Sequence, residues 1–310
     1  MWTTADMPDQ HGRTAVITGA NVGVGLETAA ALAAAGARTI LACRDRARAD
    51  AAAQQIRGRH PGADIEVLEV DLGDLASVRR AAAEAHDRLE RIDALINNAG
   101  VMVPPLTRTT DGFELQLGVN HLGHFALTGL LLDLMPDTTD SRIVTVSSLA
   151  HARGAIDWDD LNWELSYRRS PAYGRSKLAN LLFAYELARR LAWSGSSVVS
   201  VAVHPGVCFT ELSRHTPGYR LPPLRVIYDA VSRSVNQTAE AGALPSLRAA
   251  TEPGVAPGTY YGPDGRNGRR GHPVLVESNA ASHDSDDARR LWEVSEDLTG
   301  VRWPLPATAP

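Results

Sequence analysis

Cysteine is scarce in this chain of 310 residues: there are two, Cys43 and Cys208. Cys43 ends an apolar run and Cys208 follows a Pro-Gly turn, with no Cys-x-x-Cys pair and no disulfide framework. Reduced thiols in an intracellular setting are expected, not a disulfide-stapled secreted fold. Long apolar runs are also missing. The longest, residues 125–135, is far too short to span a bilayer and contains Asp133. Residues 1–13 are polar and carry no apolar signal core. Together these features lead us to expect a cytoplasmic protein that engages no membrane. Excess positive charge is lacking as well. A net charge of −5 and a sequence pI of about 6.1 give no footing for nucleic acid or an anionic membrane surface. The short basic cluster Arg266, Arg269, Arg270 lies among glycines and reads as a solvated loop. No internal repeat and no low-complexity segment interrupts the chain.

What is present suits a globular protein with a large core: 44 % of residues are hydrophobic and 22 % charged. The length suits one α/β domain. The first structured stretch, Thr14–Thr18, reads as a buried strand. Gly19-Ala20-Asn21-Val22-Gly23-Val24-Gly25 follows, then a helix over residues 26–35 stopped by Gly36, then a strand over Arg38–Cys43. Strand, glycine-rich turn, helix and strand make a βαβ unit that binds a dinucleotide. A phosphate must approach the amides at the helix N-terminus, where unpaired N–H groups and the dipole favour negative charge. Side chains would block that approach, hence glycine. The spacing is Gly-x-x-x-Gly-x-Gly, not Gly-x-Gly-x-x-Gly. The second strand ends in Arg44-Asp45. An acid there would hold a free ribose hydroxyl, and an arginine would accommodate a 2′-phosphate. Arg44 comes first, which favours NADP(H), with NAD(H) open through Asp45.

The pattern repeats. Helices are expected over residues 47–59, 75–89, 113–135 and 172–191, and strands over residues 65–70, 93–96, Arg142–Val146 and 197–203. Such alternation implies a parallel sheet with helices on both faces, and ligands beyond the carboxyl ends of its strands. The residues at those ends are Gly19, Arg44, Asp71, Asn98, Ser148 and Pro205, a polar or glycine set that packing alone does not demand. Tyr173 and Lys177 lie four apart on one helix face. A free phenol has a pKa of about 10, and a fixed ammonium beside it stabilises the phenolate, so the pair can act as a general acid/base.

With these residues assembled, the chain resembles a short-chain dehydrogenase/reductase. The motifs are Thr18-Gly-x-x-x-Gly-x-Gly25, Asp71-Leu72, Asn97-Asn-Ala-Gly100, Asn120, Ser148, Tyr173-x-x-x-Lys177 and Pro205-Gly206 with Thr210, in the family's order. Ala42-Cys-Arg-Asp45, Asn120-His-Leu-Gly-His-Phe125, Val146-Ser-Ser-Leu-Ala-His151 and Ala288-Arg-Arg-Leu-Trp-Glu-Val-Ser-Glu296 resemble the branch of retinol dehydrogenases and protochlorophyllide-reductase-like enzymes. The resemblance implies one α/β domain built on a Rossmann-type doubly wound parallel sheet of about seven strands. Residues 14–210 would be the cofactor-binding and catalytic core, residues 211–236 a substrate lid, and residues 258–310 a last strand at 259–261 with a helix at 286–298. The vertebrate branch's membrane anchor is not carried over to the polar N-terminal stretch.

The resemblance also implies roles. Tyr173 exchanges the proton with the reacting oxygen, Lys177 lowers its pKa and holds the nicotinamide ribose, and Ser148 orients that oxygen. Of the adjacent serines, the family pattern selects Ser148 over Ser147. Asn120 kinks its helix and holds a water linking Lys177 to solvent. Asp71 and Leu72 bracket the adenine, Asn98, Ala99 and Gly100 pass the ribose, and Val207 and Thr210 meet the carboxamide. The cofactor does the hydride chemistry. Two variable stretches would build the substrate site: one carrying Trp158 and Trp163, the other Leu212, Tyr219, Leu224 and Tyr228. Their apolar character favours a small hydrophobic carbonyl or alcohol. Reduction of a conjugated carbon–carbon double bond is the alternative chemistry, and a non-catalytic NADP-sensing protein the remote one. No metal is expected: His121 and His124 share a helix but have no third ligand nearby, and His204 reads as structural. Apolar faces at residues 122–134 and 173–192 would suit either a homodimer or homotetramer interface or simple core.

Overall fold

The computed structural model describes residues 1–208 and 237–307. An eight-stranded sheet runs in the order β3-β2-β1-β4-β5-β6-β7-β8. The strands are β1 (Thr14–Thr18), β2 (Arg38–Cys43), β3 (Ile65–Glu69), β4 (Ala94–Asn97), β5 (Arg142–Val146), β6 (Val199–Val203), β7 (Tyr260–Pro263) and β8 (Pro273–Leu275). β1 to β7 pair in parallel, and β8 pairs antiparallel with β7. The eighth strand corrects the expected count of about seven. The chain reverses through the glycine-rich loop after β7 and lays one short edge strand beside it. The order changes direction between β1 and β4, the switch point at which such sheets bind ligands.

Side chains alternate across the central strands. In β1, Ala15 and Ile17 face a core formed with α1 (Gly23–Ala34), α2 (Arg46–Arg59) and a helix at Ala239–Thr251. Val16 faces the opposite core, formed with α3 (Leu75–Arg88), α5 (Gly123–Leu131), α6 (Arg169–Trp193) and a helix at Ser285–Thr299. Burial on both sides accounts for the unbroken apolar runs in the strands. The helix at Ala239–Thr251, here α7, was not read from the sequence. It carries Pro245 inside its span, which argues against a helix locally; packing against the sheet overrides that.

The single helix expected over residues 113–135 is four pieces, the last a 3₁₀ turn at Leu132–Leu134. A turn, α4 (Leu115–Leu117), leads into a π-helical segment, Gly118–Leu122, and then α5. Within the π segment the Gly123 N–H bonds back to the Gly118 carbonyl, five residues earlier. Periodicity cannot show a single wide turn of this kind, which often marks a functional site. The C-terminal helix Ser285–Thr299, here α8, covers the apolar faces of α5 and α6. Trp292 meets Phe125 edge-on at 5.1 Å and stacks on Phe183 at 5.9 Å. Trp303, just past α8, lies 5.3 Å from the Phe125 ring. The faces weighed as a subunit interface are therefore lined by the chain's own helix. No helix among the described residues is long and apolar enough to cross a membrane.

Candidate active site

Tyr173 and Lys177 sit one turn apart on α6, and Ser148 directly follows the pair Val146–Ser147 at the end of β5. Three hydrogen bonds hold α6 to that strand end. Lys177 Nζ and Asn180 Nδ2 each donate to the Val146 carbonyl at 3.0 Å. Ser147 Oγ donates to the Lys177 carbonyl at 2.8 Å. The two serines thus part company: Ser147 is buried and structural, and Ser148 begins a 3₁₀ turn at Leu149–Arg153, its Oγ accepting from the Ala150 N–H. The Ser148 hydroxyl also meets the Tyr173 side chain.

The electrostatics differ from the expectation for an isolated Tyr–Lys pair. Burial pushes the Tyr173 phenol up, and the Ser148 hydrogen bond opposes it only in part. Burial lowers Lys177 to about 8, which leaves it mostly cationic at neutral pH. Its Nζ stands 5.9 Å from the centre of the Tyr173 ring, and burial remains the largest influence on the phenol.

Asn120 sits in the π segment with no exposed surface. Its Oδ1 accepts from the Val101 N–H at 2.8 Å, and its Nδ2 donates to the Val101 carbonyl and to Ser176 Oγ at 3.0 and 2.9 Å. The amide clamps the loop after β4 to α6. Gly100 lies inside this clamp: a Cβ there would stand 3.2 Å from Asn120 Oδ1 and 3.6 Å from Lys177 Nζ.

On the cofactor side, α1 begins at Gly23 with Val22 as its N-cap and no side-chain cap bond. Its first amides are therefore open to a phosphate. Gly19 adopts a left-handed φ of 65°. A Cβ on Gly25 would lie 2.4 Å from Asn98 Nδ2 and 2.5 Å from the Gly19 carbonyl. Asn21, Val22, Gly23 and Val24 complete a turn shaped for backbone approach, so the residues present fit a dinucleotide. Arg44, exposed at the end of β2, lies 4.0 Å from the Asp71 carboxylate. Asp45 is the N-cap of α2 and accepts from the Arg48 N–H at 3.1 Å. The acid that would have held a ribose hydroxyl is engaged with its own helix. Asp71 folds back on the Gly73 N–H, and Leu72 is buried in the core.

Thr18 and His124 join these parts, and the sequence reading gave neither a role. His124 Nδ1 lies 3.0 Å from the Asn120 carbonyl, which can only accept, so Nδ1 carries the proton. The Thr18 hydroxyl therefore donates to His124 Nε2, at 2.8 Å, and accepts from the Asn98 and Ala99 N–H groups, each at 2.9 Å. The glycine-rich turn, the loop after β4 and the start of α5 share this one hydroxyl. The two histidines of the helix point to different partners: His121 Nε2 meets Ser295 Oγ on α8. The only legible signal was Thr18 opening the glycine motif.

Pro205 and Gly206 turn the chain after β6, and the Val207 N–H donates to the Arg269 carbonyl at 2.8 Å. Two aromatics expected at the substrate site have partners within the fold. Trp158 donates to Asp287 on α8 and stacks under Arg290. Trp163 is buried with the Arg175 guanidinium 4.1 Å over its ring. The Trp158 indole thus meets both a carboxylate and a guanidinium, whereas the Trp163 ring meets the guanidinium alone and its N–H is buried without a hydrogen-bond partner among the described residues. Thr210, Leu212, Tyr219, Leu224 and Tyr228, with the expected lid, lie outside the described residues.

A family model described as short chain dehydrogenase matches residues 13–218. Retinol dehydrogenase 14 of Mus musculus is 46 % identical over 303 residues, covering 94 % of this chain and 87 % of its own. Retinol dehydrogenase 13 of Homo sapiens is 44 % identical over 296 residues, covering 94 % and 86 %. Among solved structures, a putative uncharacterized protein from Mycobacterium paratuberculosis is 43 % identical with a TM-score of 0.80, covering 98 % of this chain and 99 % of that one. The Pseudomonas aeruginosa RhlG/NADP active-site complex is 26 % identical with a TM-score of 0.62, covering 81 % and 94 %.

Proposed function

The chain belongs to the short-chain dehydrogenase family, and we propose that it uses NADP(H) to interconvert a hydrophobic carbonyl compound and its alcohol, with Tyr173 as acid/base. It is an oxidoreductase acting on CH–OH and C=O groups. The observation that carries the finer reading is the meeting of Ser148 and Tyr173 at the carboxyl end of β5, with buried Lys177 one turn along α6.

Ser148 donates a hydrogen bond to the reacting oxygen and fixes it beside the phenol, an orienting and electrostatic role. Tyr173 gives that oxygen its proton in reduction. Burial keeps the phenol protonated, the state a donor needs. Lys177 keeps a positive charge beneath the site and would hold the nicotinamide ribose. NADP(H), when bound, supplies or takes up the hydride. The open start of α1 would hold the pyrophosphate, and Asn98, Ala99 and Gly100 would flank the ribose. Arg44 would pair with a 2′-phosphate; the engagement of Asp45 as a helix cap favours this over NAD(H). The solved relative with NADP in its printed description supports the cofactor, and the retinol dehydrogenases support an apolar alcohol or carbonyl.

The test is turnover of NADPH and NADH against apolar aldehydes and ketones, retinal among them. Tyr173→Phe should lower the rate by about 10²–10⁴-fold while still binding NADPH. A variant that works at the wild-type rate, or a wild type that consumes neither cofactor with any carbonyl, refutes the reading.

A further inference from the structure

A cavity of about 420 Å³ opens beside the strand end that carries Ser148, within the range of small-molecule sites. Leu149 and His151, which follow Ser148 in the chain, form one wall. His204, at the end of β6, and Tyr260, on β7, form another, and Asn267 and Gly268 of the β7–β8 loop close it. His151, His204 and Tyr260 are 5 %, 2 % and 3 % exposed.

Hydrogen bonds fix the tautomer of each histidine. His151 Nδ1 lies 2.6 Å from the Ser148 carbonyl. A carbonyl only accepts, so Nδ1 carries the proton and Nε2 is an acceptor. His204 Nδ1 accepts the Gly206 N–H at 3.2 Å, so its proton is on Nε2, a donor. Neither Nε2 has a hydrogen-bond partner among the described residues, and neither is sealed in solid protein. Tyr260 contacts both rings, 5.7 Å from His151 and 5.3 Å from His204 by ring centroids. The two Nε2 atoms therefore give the wall one donor and one acceptor on side chains more than nine-tenths buried; the Tyr260 hydroxyl lies 3.5 Å from His151 Nδ1, and Asp264, Asn267 and Glu277 line the exposed rim. Buried groups of this kind are normally paired.

We propose that this cavity is a subsite for a hydroxyl group, borne by the substrate away from its reacting carbonyl, which accepts from His204 Nε2 and donates to His151 Nε2. A hydroxyl both donates and accepts and so suits the pair. A carboxylate only accepts and would face the lone pair of His151; an ammonium only donates and would face the proton of His204. The substrate class narrows from hydrophobic carbonyls to hydroxylated ones, such as hydroxyaryl or hydroxyalkyl aldehydes and ketones. This assignment rests on the proposal that the carbonyl reacts at Ser148 and Tyr173.

The test uses pairs of carbonyl compounds that differ by one hydroxyl at increasing distance from the carbonyl, with carboxylated analogues as controls. Each is assayed with NADPH in the wild type and in His204→Asn. Asparagine can keep the bond to the Gly206 N–H as an Asx turn but lacks the Nε2 donor. The wild type should prefer the hydroxylated member of the best pair by at least about tenfold in kcat/KM, since a site built around a hydroxyl discriminates against its absence. His204→Asn should bring the pair close to parity, and carboxylates should gain nothing. A preference unchanged in the variant, or no preference across the series, overturns the subsite. Absence of turnover with every carbonyl and both cofactors instead overturns the hydride-transfer reading. The subsite is then read from calorimetric titration of the same pairs, where equal affinity for both members overturns it. Should His204→Asn not fold, His151→Asn provides the second variant. It retains a donor for the Ser148 carbonyl, loses the Nε2 acceptor, and should erase the same preference.

Discussion

Arg44 is 74 % exposed on its side chain, and among the described residues its ion-pair partner is a distant carboxylate, Asp71 at 4.0 Å. An exposed pair at that distance contributes little to stability, so replacing the arginine should hardly disturb the fold. A hydrogen bond to a charged group is worth about 1.5–3 kcal/mol. Arg44→Ala should therefore raise the KM for NADPH by about 10–100-fold and leave that for NADH nearly unchanged. Steady-state kinetics with both cofactors reads this directly, and an equal loss on both would place the 2′-phosphate elsewhere. Tyr173 and Lys177 teach a related lesson. Their spacing was legible in the sequence, but the balance between charge and burial was not. Desolvation is a property of the surrounding fold, and here it raises the phenol and lowers the ammonium.

At the scale of elements, the site is a junction of turns. The start of α1, the loop after β4 and the π segment meet through Thr18, Asn98 and Asn120. Gly25 is the tightest point of this junction, because the carbonyl of Gly19 is backbone and cannot swing away from an added methyl. Gly25→Ala should displace the turn, destabilise the protein by about 1–3 kcal/mol as an overpacking change, and abolish measurable NADPH binding. Thermal melts with and without NADPH check both parts: a variant still stabilised by NADPH to the wild-type extent would show that the turn is not the phosphate cradle. The expected helix over residues 113–135 illustrates the limit of pattern reading. Its apolar period is helical throughout, yet the Asn120 clamp is served by a π segment, set by hydrogen bonds to Val101 and Ser176 that lie far from Asn120 in sequence.

Over the whole molecule, the second core depends on the C-terminal helix. Trp292 is 2 % exposed, meets Phe125, Phe183 and Trp303, and lies under the Arg190 guanidinium at 4.4 Å. Trp292→Ala should cost about 3–5 kcal/mol, measured as a fall in denaturation midpoint. A loss below about 1 kcal/mol would mean that α8 is not part of the folded core. Acid should also weaken the fold. Burial lowers His121 to about 3 and His124 and His204 to about 4, whereas the same side chains titrate near 6.5 when unfolded. Between those values the unfolded chain binds more protons, so stability falls as pH drops below about 6.5. Each histidine contributes up to about 1.4 kcal/mol per pH unit within that window. His86 works in the opposite sense: its pKa is raised by the Ala82 carbonyl and by Asp133. It is part-exposed, and the three buried rings outweigh it. Melts from pH 7 to pH 4.5 should show a steady loss of Tm; a flat profile would contradict neutral, buried histidines.

The sequence by itself determined the parallel sheet, because alternating strand and helix signals admit no other connection. It also determined the glycine-rich turn, the strand-end residues and the Tyr173–Lys177 spacing, because these are local and periodic. Only the tertiary structure decided that Ser147 donates to the Lys177 carbonyl, which acid is engaged as a helix cap, and which partners Trp158 and Trp163 meet. It alone revealed the edge strand β8, the helix around Pro245, and α8 lining the face also weighed as a subunit interface. Each of these depends on contacts between residues distant in the chain, and burial and partner choice leave no periodic trace in a single sequence.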